Sequence, residues 1–142
     1  MSAAVRDELP EADHVTRLYR LARGLCGPRA AEELTYETYA RVLATSGSRS
    51  PIEFPALASA LLDGRDDDRC GEHIGAPVGR PANVYAAVAT LSAELRDTVA
   101  LVDLAGMSHA DAARVLRVPR VTVMTRLHRA RTRVAGALAP AG

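Results

Sequence analysis

The residues with the clearest chemical potential lie in one basic stretch near the C-terminus. From Arg114 to Arg133 the sequence contains seven arginines and no carboxylate. Guanidinium groups donate hydrogen bonds to phosphate oxygens and to the acceptor edge of guanine, so such a surface fits a nucleic acid. A solvated helix face would have the same composition. The elements around the stretch must therefore decide between the two interpretations.

Helical geometry sorts the second half of this stretch into two faces. At about 100° per residue, four apolar residues fall on one side and are expected to face a core. These residues are Val123, Leu127, Ala130 and Val134. The opposite side is polar and free of acids, which predicts a DNA-binding face. The residues assigned to it are Arg120, Thr122, Met124, Thr125, Arg126, His128, Arg129, Thr132 and Arg133.

The preceding segment supplies the rest of a helix-turn-helix pattern. Ser108 and Asp111 have the spacing of a capping box, which predicts a helix from His109 to Leu116. A helix tolerates proline only near its start, so Pro119 should end the first helix, and a second helix should begin near Arg120. Helix, tight turn and helix are the outline of a DNA-binding unit, with the second helix in the major groove.

Residues 84–138 resemble region 4, the C-terminal promoter-recognition domain of bacterial sigma factors of the extracytoplasmic-function group. The matching positions are Leu91-Ser92, Arg96, Val99 to Leu104, Gly106-Met107-Ser108, Asp111-Ala112-Ala113, Leu116-Arg117-Val118, Thr122 to Leu127 and Arg129-Ala130-Arg131. The resemblance implies binding of promoter DNA near the -35 element. For such a complex we predict Thr125, His128 and Arg129 at base edges and Arg120, Thr122 and Arg126 on phosphates.

A second resemblance lies in the N-terminal half. Residues 31–39 resemble part of region 2 of the same family, which docks on the clamp helices of the polymerase β′ subunit. Polymerase contact is accordingly assigned to Glu32, Glu33 and Glu37, whose alternative role is an ordinary solvated helix face. The family also implies contact with the β flap of core RNA polymerase, and an anti-sigma factor as a further possible partner.

Several positions depart from the family pattern. In the part of region 2 that melts promoter DNA in this family, Phe54 is the one obvious aromatic residue of this sequence. Asp66 to Asp68 form an acidic run close to where phosphate contact is expected. Exposed aromatics and cations hold unpaired strands, so region 2 looks shortened or degenerate. Arg117 occupies a turn position where glycine is usual, at a cost of about 1 kcal/mol if φ is positive. Met124 replaces a common basic residue.

Composition and periodicity predict an all-α fold of two small domains. Residues 12–63 form the region 2-like domain, with helices over Val15 to Leu25, about Arg29 to Ala44, and Phe54 to Leu62. Residues 64–82 are rich in glycine, proline and acids and predict a flexible linker, whose acids are candidate nucleic-acid mimics. Residues 83–138 form the region 4 domain. Residues 1–82 carry a net charge of −3 and residues 83–142 a net charge of +4.

The two cysteines, Cys26 and Cys70, are too few for a disulfide framework, and we expect both to be reduced. Cys70 and His73, with Cys26, are the weak basis of an alternative zinc enzyme. We favour a protein with no metal, cofactor or catalytic residue. No apolar run is long enough to span a membrane, so we expect a cytoplasmic protein without membrane contact.

These observations favour a sigma factor that binds core RNA polymerase and recognises -35 DNA. The two domains are expected either to tumble separately or to pack on each other when polymerase is absent. The alternative function is a sigma-like regulator that binds DNA, polymerase or an anti-sigma partner without opening promoters.

Overall fold

The computed structural model describes residues 10–46, 51–65, 70 and 81–139. Within these residues every regular element is a helix, which confirms the all-α prediction. The elements are α1 (Pro10–Ser46), α2 (Phe54–Gly64), α3 (Val84–Ala89), α4 (Ala93–Val99), a π-helix (Ala100–Leu104), α5 (His109–Leu116) and α6 (Arg120–Leu138). None of the described helices has the length and hydropathy that a membrane span requires.

Helix α1 combines two predicted helices that meet at a kink. Gly27 has φ 80° and ψ 172°, a conformation that a side chain would disfavour. Pro28 follows and starts the second half, where its missing N–H costs no helical hydrogen bond. The Gly-Pro pair therefore interrupts the helix as predicted, and the two halves fold against each other and against α2.

The core is built from aliphatic side chains because the sequence contains few aromatics. Leu18, Leu21 and Leu25 of α1 are buried together with Leu57 and Leu61 of α2. The acids Asp66 to Asp68 and Glu72, together with His73, lie outside the described residues.

Phe54 belongs to this core and is only 3% exposed. The guanidinium carbon of Arg17 lies 3.9 Å from the centroid of its ring, and the ring of His14 lies 5.8 Å away. The aromatic side chain considered as a platform for an unpaired strand is thus covered. Its burial stabilises the start of α2, since apolar surface removed from water contributes to folding.

The two predicted domains pack on each other in this structure. Gly24 of α1 faces Ala100 and Leu104 of the π-helix, so the two backbones approach closely. Arg17 reaches across the same boundary, and its Nε donates a hydrogen bond of 2.6 Å to the carbonyl of Ala105. One apolar cluster therefore includes residues from α1, α2, the π-helix, α5 and α6. The exact domain boundaries stay a prediction.

An ion pair joins the end of α2 to α4. Arg65 donates two hydrogen bonds to the carboxylate of Asp97, from Nη1 to Oδ1 at 2.8 Å and from Nη2 to Oδ2 at 2.7 Å. The side chain of Asp97 is only 12% exposed. Because a carboxylate removed from water needs hydrogen-bond donors, this two-pronged contact fixes where the chain leaves α2.

The expectation that both cysteines are reduced is wrong. Cys26, next to the kink in α1, forms a disulfide with Cys70, and both residues are buried. They are 44 residues apart in sequence, so the disulfide is a tertiary contact that connects Cys70 to α1. The zinc alternative loses both of its thiolate ligands to this bond.

Replacement of Arg65 by alanine should destabilise the fold because it leaves the Asp97 carboxylate buried without its donor pair. We expect the free energy of unfolding to fall by roughly 1.5–3 kcal/mol, measured by urea denaturation. The matched control is Arg114→Ala, since Arg114 is largely exposed and lies 3.9 Å from Asp111. Its effect should stay within about 0.5 kcal/mol. Equal losses for the two variants would contradict a structural role for the Arg65–Asp97 pair.

Candidate nucleic-acid interface

Helices α5 and α6 form the predicted helix-turn-helix. Ser108 Oγ accepts a hydrogen bond of 3.1 Å from the backbone N–H of Asp111, which confirms the predicted cap of α5. Helix α5 ends at Leu116, and Arg117 adopts the left-handed conformation with φ 58° and ψ 44°. Pro119 then precedes α6, which begins at Arg120 as predicted.

The elements before the helix-turn-helix form a platform for α6. The Asn83 side chain accepts a hydrogen bond from the N–H of Ala86 and so caps α3. Arg96 is buried, and its Nη2 donates to the carbonyl of Leu91 at the corner between α3 and α4. A separate apolar cluster joins these helices to the inner side of α6. Its buried members are Val88, Leu91, Leu95, Val99, Leu127 and Ala130.

The helical faces of α6 are those expected from the sequence. Val123, Leu127 and Ala130 are buried, and Val134 is partly buried against them. Among the residues assigned to DNA, Thr122 and Arg126 are half-buried. The others are exposed, and they are Arg120, Met124, Thr125, His128, Arg129, Thr132 and Arg133. We call the side of α6 that carries these exposed residues the outward face.

Two threonine hydroxyls on the outward face are already used as donors. Thr125 Oγ1 donates to the carbonyl of Val121 at 3.0 Å, and Thr132 Oγ1 donates to that of His128 at 2.9 Å. In this rotamer each hydroxyl can only accept a hydrogen bond from a base. Donation to a base edge from the outward face therefore falls to His128 and Arg129.

Two other arginines of α6 contact acids of neighbouring elements. Arg126 Nη2 lies 3.7 Å from Glu94 Oε1, with the Arg126 side chain only 24% exposed. Arg131 donates hydrogen bonds of 2.9 and 2.7 Å to both carboxylate oxygens of Asp103 in the π-helix. The Asp103 hydrogen bond raises the pKa of Arg131, so this side chain stays charged and paired. These contacts orient α6 and partly neutralise its flanks.

The sequence reasoning missed Val121. This valine is one of the exposed large apolar residues, and Thr125 follows it by one helical turn. At about 100° per residue it lies near the centre of the outward face, almost opposite Val123 and Ala130. The same helical arithmetic that placed its neighbours would have identified it.

A second surface lies on the C-terminal half of α1. Glu32 and Glu33 are exposed, Glu37 is half-buried, and Tyr36 between them is an exposed large hydrophobic residue. A groove of about 330 Å³ adjoins this surface between the two halves of α1. Its lining residues are Val15, Thr16, Tyr19, Glu32, Thr35 and Tyr36. The structure thus places the three assigned glutamates on one helix, far in sequence from the outward face.

Comparison with known proteins finds a family match in the C-terminal half of the chain. The sigma-70 region 4 family matches residues 82–134, which include α3 to α5 and most of α6. These residues therefore form a sigma-70 region 4 domain. The whole chain is similar to the extracytoplasmic-function RNA polymerase sigma factor SigE of Mycolicibacterium smegmatis, with 32% identity over 158 aligned positions and 94% of this chain covered. It spans 61% of the length of that relative.

Two solved structures have the same fold as this chain. The sigma factor RpoE in complex with the anti-sigma factor NepR from Bartonella quintana superposes with a TM-score of 0.67 and 19% identity, over 95% of this chain and 96% of that one. CnrH in complex with the cytosolic domain of CnrY gives a TM-score of 0.57 and 17% identity, over 96% and 86% of the two chains.

The region 4 motif of this chain contains structural residues and surface residues. Ser108 caps α5, buried Arg96 ties α4 to Leu91, and Arg131 is paired with Asp103. Arg129, from the same motif, is exposed on the outward face. The motif therefore sets the geometry of α6 as well as supplying groups that can reach a ligand.

Replacement of Arg117 by glycine should stabilise the fold. A non-glycine residue in the left-handed region is strained, and glycine relieves that strain at some entropic cost, so we expect a net gain of about 0.5–1 kcal/mol in unfolding free energy. Arg114→Gly, three residues earlier inside α5, should instead lose about 1 kcal/mol because glycine weakens a helix interior. Chemical denaturation of both variants measures the contrast. A loss of stability in Arg117→Gly would show that its side chain contributes more than its backbone costs.

Proposed function

We propose that this chain acts as a sigma factor in the cytoplasm, binding core RNA polymerase and recognising promoter -35 DNA to direct transcription initiation. The observation that carries the proposal is the outward face of α6, which is exposed, basic and free of acids. A helix with these properties, placed second in a helix-turn-helix, fits the major groove. No catalytic residue or cofactor takes part in this function.

The packing of α6 supports DNA access without rearrangement. Helix α6 rests on α3, α4 and α5 through its apolar side, and no described residue covers the outward face. Arg120, Arg129 and Arg133 are the exposed cations on it. We assign Arg120 to phosphates, and Arg129 and His128 to base edges, since guanidinium and imidazole groups can donate to the acceptors of purines.

The surface around Tyr36 is the proposed contact with polymerase. Glu32 and Glu33 present carboxylates to solvent beside an exposed aromatic ring, a combination that fits a basic and partly apolar partner. The clamp helices of β′ are the proposed partner here, and the β flap is the proposed partner of region 4. An anti-sigma factor is a further proposed partner, because both structural neighbours were solved in complexes with such proteins or with a cytosolic domain.

A sigma-like regulator that does not open promoters is the second candidate function. The specific observation in its favour is the burial of Phe54 beneath Arg17, which removes that ring from contact with an unpaired strand. Opening DNA requires groups that stack on or steer unpaired bases. Docking on polymerase and binding to duplex DNA do not require Phe54, so a regulator that binds DNA, polymerase or an anti-sigma partner could keep these contacts without opening promoters.

Arg129→Ala should reduce sequence discrimination because the guanidinium can donate two hydrogen bonds to guanine. We expect a loss of roughly 1–3 kcal/mol on a preferred duplex and little loss on random duplex, measured by fluorescence anisotropy. Arg120→Ala removes one charge from the same face, so it should weaken binding to both duplexes alike and lower the salt slope by about 1. Equal losses of Arg129→Ala on the two duplexes would contradict base readout by Arg129.

Reconstitution with core polymerase tests the output of the whole chain. A promoter used both as full duplex and with a pre-melted bubble separates docking from strand opening. Transcription from both templates supports the proposed sigma factor, whereas transcription from the bubble alone supports the second candidate.

Glu32→Arg should weaken association with polymerase because it reverses a charge beside Tyr36. Glu53→Arg reverses an exposed charge at the start of α2 and should have no effect.

A chain that fails to bind core polymerase in any of these assays would contradict the proposed sigma factor and leave only a regulator that binds DNA or a protein partner. Equal effects of the two charge reversals would instead place the polymerase contact elsewhere on the region 2-like surface. Binding is measured directly by size-exclusion chromatography and by competition with a second sigma factor, so transcription is not the only readout.

A further inference from the structure

Two apolar side chains lie side by side on the outward face of α6. Val121 is 66% exposed and Met124 is 50% exposed. They are three residues apart in the first turns of the helix, and residues at this spacing are neighbours on a helix surface. Single exposed apolar residues need no explanation, but an adjacent pair in the middle of a basic face does.

The surroundings of this pair indicate a polyanionic partner. Arg117 and Arg120 are exposed just before it, and Arg129 is exposed two turns after Val121. No carboxylate lies between Arg114 and Arg133. Contact with another protein would not require that all the charges around an apolar patch be positive. Contact with DNA does favour such charges, because they neutralise its phosphates.

The major groove contains one apolar group at the base edges, which is the C5-methyl of thymine. Residues near the N-terminus of a recognition helix are those that reach base edges. In the first turns of α6, the Thr125 hydroxyl already donates to the carbonyl of Val121. Apart from Arg120, which we assign to phosphates, this part of the outward face therefore offers apolar contact in place of hydrogen-bond donors.

We propose that the exposed side chains of Val121 and Met124 contact the C5-methyl group of a thymine in the -35 element and so recognise that base. The inference rests on the proposed function, since it requires duplex DNA in contact with α6. Thymine is selected over cytosine because cytosine lacks the methyl, and over purines because their N7 acceptors would face two groups that donate no hydrogen bond. Val121 is thus a specificity-determining residue next to Arg129, which reads a different base.

Replacement of thymine by deoxyuridine removes this one methyl and leaves every hydrogen-bonding group unchanged. The preferred duplex is first selected from a random-sequence library by the full chain. Each thymine in it is then replaced by deoxyuridine, and affinity is measured by anisotropy. We expect about fourfold weaker binding at one or two positions, which is ~0.8 kcal/mol for one buried carbon group converted at 1.4 kcal/mol per tenfold.

Variants of the protein assign the methyl contact to the pair. In Val121→Ala with Met124→Ala, thymine and deoxyuridine duplexes should bind equally well, because the apolar contact is absent in both. Val84→Ala is the matched control, since Val84 is an exposed valine of α3 away from the outward face. It should keep the fourfold ratio. A double variant that also keeps this ratio would overturn the assignment, as would a wild-type chain that binds both duplexes alike at every position.

The failures of this inference and of the proposed function are distinguishable. A chain that selects no duplex from the library contradicts DNA recognition itself, and the methyl contact with it. A second outcome contradicts only the inference. In it, the wild-type chain selects a duplex but binds thymine and deoxyuridine duplexes equally well, and the double variant loses binding to polymerase. In that outcome the apolar pair is covered by a protein partner.

Discussion

The close approach of α1 and the π-helix at Gly24 is the constraint on which the rest of the structure depends. The core is aliphatic, so its helices must come close together to exclude water. Any side chain at position 24 would meet Leu104. Because Gly24 lets the two backbones approach, Leu21, Leu25 and Leu101 join one buried cluster. The N-terminal and C-terminal segments therefore share a core, although their sequences suggest two separate modules.

Arginine has two different roles in this molecule, and neighbouring acceptors separate them. At the boundary between the N-terminal and C-terminal segments, Arg17 donates to a backbone carbonyl and Arg65 donates to a carboxylate. Arg131 is held by Asp103 and fixes α6 against the π-helix. Planar guanidinium groups suit such two-pronged contacts. Arginines with no acidic partner among the described residues, such as Arg129, remain available to a ligand, and three of them lie exposed on the outward face of α6, namely Arg120, Arg129 and Arg133.

The proposed function has two steps, and the fold bears on each of them. Recognition of duplex DNA requires that α6 be exposed, and among the described residues the packed arrangement leaves its outward face exposed. Strand opening requires groups that can hold an unpaired base, and Phe54 is instead part of the core beneath Arg17. The Cys26–Cys70 disulfide ties the segment after α2 to α1, near the same core. Recognition and opening thus make separate demands on the fold.

The sequence alone determined the local structure, since caps, breaks and helical periods depend on neighbouring residues. Ser108, Pro119 and the Gly27-Pro28 pair lie where their chemistry predicted helix ends, and Val123, Leu127 and Ala130 are buried as their spacing required. Only tertiary structure decided what distant residues do to each other. Cys26 meets Cys70, Arg126 meets Glu94, and Phe54 is covered by Arg17, because helix packing brings together positions that no local pattern relates.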